Sequence, residues 1–301
     1  QIGNRVLVLT AWLHYGLGTT ISQIVEIFNG HLQMPLTPGG LVQMWQRLAE
    51  LLYTWYEQIQ QEAMDSAILH ADETGWRVNG KTHWLWCFTN QHLTYYMIDR
   101  SRGSPALMKF FTEAFEGTLV SDFWGAYNAV HCESRQMCLV HLLRDLENVE
   151  QYHAVDKDWP AFAKKLRRLI HDAMRLSQRD PSERASRRLR LQIRLQMLID
   201  TEWKHSDARR LIKRLRRHSS DLFTFLDYDN VPSDNNHAER AIRPAVIIRK
   251  NSQSNRSERG ADTQAILMSV YRTLKQRGHQ PLNALIEALQ TYPTHWPNAR
   301  V

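Results

Sequence analysis

Between residues 66 and 140 the apolar residues stop recurring at helical intervals. Short segments rich in β-branched and aromatic side chains replace them, which restricts the chain to a fold containing a sheet. AILHADET, HWLWCFTN and LTYYMIDR read as three consecutive strands, the first two joined by the turn former VNGK at 78–81. SPALMKFFTEAF fits a helix with Ser104 as N-cap and Pro105 in first position. GTLVSDFW reads as a fourth strand and GAYNAV as a short helix or turn. RQMCLV reads as a fifth strand running into the helix HLLRDLENVEQY. Three strands, a helix and further strands indicate a mixed α/β sheet. Trp76, Trp84 and Trp86 follow strand alternation and read as core.

Both flanks read as helical. TISQIVEIF places Ile21, Ile24, Val25 and Phe28 at helical spacing, and GHLQMPLTPGG is a connector. GLVQMWQRLAELLYTWYEQIQQE then reads as one long amphipathic helix with Leu41, Met44, Leu48, Leu51, Leu52 and Trp55 on its stripe. The pattern admits a helix-turn-helix DNA reader or a plain packing hairpin. Residues 155–226 read as helical, broken by Pro181. The loop DYDNVPSDNN follows, then a short helix, SDNNHAERAIRPAV, capped by Ser233 or Asp234 and limited or kinked by Pro244. Helices over 261–276 and PLNALIEALQTY close the chain, and no internal repeat is present.

The 301 residues suffice for one large domain or two smaller ones, and no run of apolar residues is long enough to span a membrane. Three cysteines without a CxxC pair point to a reducing compartment. The net charge of +7 favours an anionic partner, nucleic acid first. That charge is concentrated: residues 161–220 hold eighteen Lys and Arg against six acids. The stretch is either a solvated helical face or a phosphate-contacting surface.

Two acids in the first strand need explanation, because an unpaired buried carboxylate is costly. Asp72 lies at the end of the first β segment, Asp122 at the end of the fourth and Glu239 on a helix. Phosphodiester cleavage and transfer use such a set. Two divalent ions about 4 Å apart serve the attacking and leaving oxygens, and Mg²⁺ takes hard oxygen ligands with water and phosphate filling its remaining positions. Spacing alone does not single out these three among 31 acids, and Asp122 also suits a turn cap.

The strings DETGWRVNGKTHWLW, RSRG, EGTLVSDFWGAY, RQMCLVHLLRDL, NNHAERAIRP and RKNSQSNRSERGA occur in this order. Together they resemble the catalytic region of insertion-sequence-66-type bacterial transposases, from about Leu69 to Gly278. The resemblance implies a DDE enzyme with an RNase H-like mixed sheet flanked by helices. It implies an N-terminal helical region (1–65), the core in two parts (66–150 and 229–301), and an Arg-rich helical insertion (151–228) between the second and third acids. It assigns Asp72, Asp122 and Glu239 as the catalytic, metal-binding triad for two Mg²⁺ (or Mn²⁺) ions. It further implies cleavage at element ends, 3′-hydroxyl strand transfer, double-stranded DNA as partner, a homodimer or higher oligomer on DNA, and the bacterial cytoplasm. A nuclease without strand transfer and a transposase-derived DNA-binding protein are the alternatives. The chain does not begin with Met and has no Cys/His cluster like that upstream in full-length relatives, so recognition of element ends is not expected of this chain alone.

Strand alternation sends Glu73 to the face opposite Asp72, where a structural ion pair is expected, and puts His70 on the Asp72 face as packing. Cys138 and His141 form CxxH; with His131 and Cys132 they make zinc conceivable, while a structural or DNA-positioning role for His141 is the stronger reading. Asn235, Asn236 and Arg243 are expected on the Glu239 helix face, orienting the carboxylate, holding DNA or capping. Arg144, Arg243, Arg209, Arg210, Arg214 and Arg217, with Arg249 and Lys250 in a polar loop, are the expected phosphate contacts.

Overall fold

The computed structural model describes residues 3–152 and 158–291. In chain order the elements are α1 (Asn4–Ala11), α2 (Ile21–Glu26), α3 (Pro38–Leu51), α4 (Tyr53–Met64), β1 (Ile68–Val78), β2 (Lys81–Thr89), β3 (Thr94–Asp99), α5 (Ser104–Phe110), β4 (Phe115–Ser121), β5 (Cys132–Met137), α6 (Leu139–Tyr152), α7 (Asp158–Leu176), α8 (Pro181–Asp200), α9 (Ser206–Arg217), α10 (Asn236–Ser252), α11 (Glu258–Gln276) and α12 (Pro281–Thr291). They form two compact units, one of residues 1–113 and 236–301, the other of residues 114–235. The antiparallel and parallel strand pairs below make the fold mixed α/β, as expected.

In the first unit β1, β2 and β3 form an antiparallel ladder. Its first turn is built at Asn79 and Gly80, both at positive φ (48° and 71°), which matches the twist of the two strands. The β1–β2 register pairs Asp72 with Cys87, and β2–β3 pairs Cys87 with Tyr96. Helix α11 packs along β3 and is buried along most of its length. Its hydroxyls do what a further strand would do. Ser269 Oγ accepts the Tyr96 N–H at 2.8 Å, and Thr273 Oγ1 accepts the Thr94 N–H at 3.0 Å while donating to the Thr94 carbonyl at 3.2 Å. The outward backbone groups of β3 are thereby satisfied inside the protein.

The single long helix expected over the forties to the sixties is two helices. At Leu52 (φ −95°, ψ 6°) the chain leaves helical geometry, so α3 and α4 both pack against α11. Leu51 consequently faces solvent, and Trp45 joins Leu41, Leu48 and Trp55 in the core. Strand β1 runs on to Val78, which puts Asp72 in mid-strand instead of at its end. Helix α5 is capped at Gly103, not Ser104, and ends at Phe110. Pro244 does not end α10, which continues to Ser252. Pro244 has no N–H for the Arg240 carbonyl; the next carbonyl, that of Ala241, accepts the Tyr96 hydroxyl at 2.6 Å.

In the second unit β4 and β5 pair in parallel. Strand β5 ends at Met137, so Cys138 lies past it. Pro181 opens α8, with Asp180 as N-cap accepting the Glu183 N–H at 3.0 Å. Helices α7, α8 and α9 pack on one another, with Trp159, Phe162 and Trp203 buried between them.

Thr273→Val keeps the shape of the side chain and removes the acceptor for the buried Thr94 N–H. We expect it to cost about 1–3 kcal/mol, read as a lower urea midpoint with an unchanged slope.

Candidate active site

The site is built from the strand upward. His70, Asp72 and Thr74 alternate onto one face of β1, and α10 packs against β1 and β2. The His70 and His237 rings meet at 5.2 Å, and Arg249 donates to Thr74 Oγ1 at 3.0 Å and to the Gly75 carbonyl. These contacts fix α10 to β1 on either side of Asp72. His237 Nε2 donates to the Asn90 carbonyl at 2.6 Å, which sets its tautomer. Asp72 is half-buried, and its negative charge adds to the burial that pushes the Cys87 thiol well above its ordinary pKa. Glu239 is half-buried in the first turn of α10, beside buried Ala238.

Glu73 behaves oppositely. Its side chain is only 2% exposed and pairs with Arg102 at 3.1 Å, whose guanidinium also lies 4.4 Å from the Trp84 ring centre. The expected structural ion pair is present, and His70 is buried, as expected of a packing residue.

In the second unit Asp122 follows the last residue of β4. Its Oδ1 accepts the Trp124 N–H at 2.8 Å, an Asx turn leading into a 3₁₀ segment, Gly125–Ala129. Oδ2 has no partner among the described residues. The Cys138 N–H donates to the Ser121 carbonyl at 2.9 Å, so Asp122 and the start of α6 lie at the same, C-terminal end of the parallel pair. That end is where parallel sheets place their ligands. His141, half-buried, and Arg144, exposed, follow in α6.

The zinc reading of CxxH is corrected by the structure. Cys138 occupies the N-cap position of α6: its sulfur accepts the backbone N–H groups of Val140 and His141, and that of Asn235 at 3.2 Å. Burial pushes its thiol up to about 11, with these bonds pulling the other way. Cys132 Sγ instead accepts from Arg135 at 3.5 Å. Among the described residues no three His, Cys, Asp or Glu side chains stand ready to hold a metal ion. A carboxylate site for Mg²⁺ asks for less, because water and phosphate oxygens complete the coordination. Carboxylate oxygens, such as each of Asp72, Asp122 and Glu239 carries, are the donor type that ion takes.

Several expected phosphate contacts are placed differently. Arg249 and Lys250 lie in the last turn of α10, not in a loop, and Arg249 ties that helix to β1. Asn235 is buried at the position immediately before α10, and Asn236 and Arg243 lie on the helix. Arg214 pairs with Asp145 and lies over the Phe123 ring, and Arg210 pairs with Asp207 at 3.1 Å. Arg209, Arg217, Arg243, Lys250 and Arg144 are exposed. Sequence reasoning missed His237 and Tyr96. The signal for His237 was present: His-Ala-acid occurs at both His70–Asp72 and His237–Glu239.

With the mixed α/β framework and its carboxylates described, comparison with known proteins assigns the chain to a family. The family model described as "Transposase IS66 family" matches residues 1–263, and the chain belongs to this family. Over 80 residues the chain is 38% identical to a protein of Sinorhizobium fredii described as "Uncharacterized protein y4qI"; the match covers 27% of this chain and 15% of that protein's length. Among the described residues no helix is long and apolar enough to cross a membrane.

The adjacent acids Asp72 and Glu73 should respond oppositely to mutation. Arg102→Ala leaves Glu73 buried without this partner and is expected to cost about 3 kcal/mol in chemical denaturation, whereas Asp72→Asn should leave the midpoint nearly unchanged.

Proposed function

We propose that the chain is the RNase H-like catalytic core of a DDE transposase, cutting DNA strands at element ends and joining the 3′-hydroxyls to target DNA. The observation that carries this reading is Asp72 in mid-strand, facing a helix that bears Glu239 and is clamped to β1 on both sides of it. Asp72, Asp122 and Glu239 would hold two Mg²⁺ or Mn²⁺ ions. When bound, these supply Lewis-acid polarisation of the phosphate and activation of the attacking hydroxyl or water.

The protein's own contribution is positional. The β-ladder and the Asx turn hold Asp72 and Asp122 stiffly, and the α10 clamp holds Glu239. Asn236 and His141 would support the carboxylates. Arg144, Arg243, Lys250, Arg209 and Arg217 would contact the DNA backbone, which positions the duplex without reading its sequence. Double-stranded DNA is the partner, and cleavage at two element ends followed by joining calls for at least two copies of the chain.

Asp72→Asn, Asp122→Asn and Glu239→Gln should each reduce strand cleavage by more than the roughly 100-fold that loss of a mere supporting partner costs. DNA affinity should stay near that of the unaltered chain. Ca²⁺, larger and tolerant of irregular coordination, should support DNA binding without cleavage. A variant that cleaves normally removes that residue from the triad. Cleavage without any joined product in a paired-end assay would favour the nuclease alternative.

Arg209→Gln with Arg217→Gln should weaken duplex binding and flatten its log–log salt dependence by about 2, roughly 0.9 per phosphate contact. An unchanged slope in a salt titration would place these two side chains off the DNA.

A further inference from the structure

We propose that the groove between α7 and α8 is a binding site for the phosphodiester backbone of DNA, distinct from the carboxylates and from the arginines of α9. The inference rests on the reading of the chain as a DNA-processing enzyme and adds where a strand lies on it.

The two helices form a hairpin through residues 177–180, and between them is a cavity of about 350 Å³. Five guanidiniums line it: Arg175 and Arg179 from one arm, Arg187, Arg190 and Arg194 from the other. The floor is Leu176 and Leu191, both buried. A second cavity of about 480 Å³ shares Arg194 and adds Lys165 and Arg168, so the two make one cationic groove.

Asp172 is the one acid lining either cavity. It binds Arg175 at 2.7 Å and Arg194 at 2.8 Å, and approaches Arg168 at 3.9 Å. Partial burial would raise its carboxyl pKa, but Arg194 and Arg175 outweigh that and hold it below the ordinary range. Asp172 therefore stays ionised, sets the spacing of the arginines and offsets one charge among the five that line the first cavity. Arg187 pairs with Glu183 at 2.7 Å, while Arg179 and Arg190 are exposed and have no acid partner among the described residues. Packing like charges across two helices is unfavourable unless an anion lies between them.

The form of the site identifies that anion. Guanidiniums present planar forks that match phosphate oxygens. From Lys165 to Leu176 α7 runs roughly 16 Å at 1.5 Å per residue, several times the roughly 3.4 Å axial rise per phosphate of one duplex strand. A single small anion would fill only a fraction of that length.

The test uses the full chain with Arg179→Gln and Arg190→Gln together, since neither side chain holds the fold. Binding of a fluorescent duplex of unrelated sequence is titrated over a range of salt without Mg²⁺. Compared with the unaltered chain, the double variant should bind more weakly on every sequence and its log–log salt slope should fall by about 2. Arg179→Lys with Arg190→Lys should keep the slope, because charge is what counterion release reads. If the unaltered chain binds duplex and the Gln variant keeps the full slope, the groove is not the site, while the DNA reading stands. If the unaltered chain binds no DNA, both fall. Inorganic tripolyphosphate and poly-glutamate are titrated alongside. Binding of either that depends on Arg179 and Arg190 while duplex binding does not would assign the groove to small anions or to acidic protein, and overturn the proposal.

Discussion

The hydroxyls of Ser269 and Thr273 close the outer edge of β3, and the order of the first unit follows from that seal. An edge strand buried against a helix would otherwise leave N–H groups without acceptors, each costing about 1–3 kcal/mol. With β3 fixed, the register through β2 to β1 is fixed too, and Asp72, Cys87 and Tyr96 fall in one row across the ladder. The Tyr96 hydroxyl then reaches the Ala241 carbonyl beside the gap left by Pro244, which holds α10 over the row. Two serine and threonine side chains on α11 thus govern where a carboxylate on β1 and another on α10 are carried.

The same ladder separates two neighbouring acids into different chemistry. Glu73 is almost wholly enclosed and pairs with Arg102, so its charge belongs to the fold. Asp72, one residue earlier, keeps partial exposure on the opposite face, and its charge is strong enough there to raise the Cys87 thiol further. A one-residue slip in register would exchange them, burying the wrong acid and breaking the pair at Arg102. The position of Asp72 is therefore only as stable as the register of the ladder.

Much of this was legible in the sequence because it is local. The Asn79–Gly80 turn, the alternation that parts Asp72 from Glu73, and the helix break at Pro181 each depend on a few adjacent residues. What was not legible depends on partners distant in the chain. The break at Leu52 follows from packing both α3 and α4 on α11, roughly two hundred residues later. The continuation of α10 past Pro244 accompanies the Tyr96 bond, and residues read as a polar loop became its last turn, with Arg249 drawn to β1. The lining of the Arg groove is spread over two helices, so no single window of sequence displays it.

CxxH shows how a motif can carry structural meaning without metal. A helix start needs acceptors for its first N–H groups, a task usually given to Ser, Thr, Asp or Asn. Here the Cys138 sulfur takes it, and takes the Asn235 N–H as well. As a thiol, the sulfur is a weak but sufficient acceptor. Asn235 is the last residue before α10, and its backbone is anchored by that sulfur, four residues before Glu239. The cysteine thus ties the start of α6 to the loop that ends at Asn235. Its replacement by serine would preserve the cap, whereas replacement by alanine would release both the start of α6 and the backbone of Asn235.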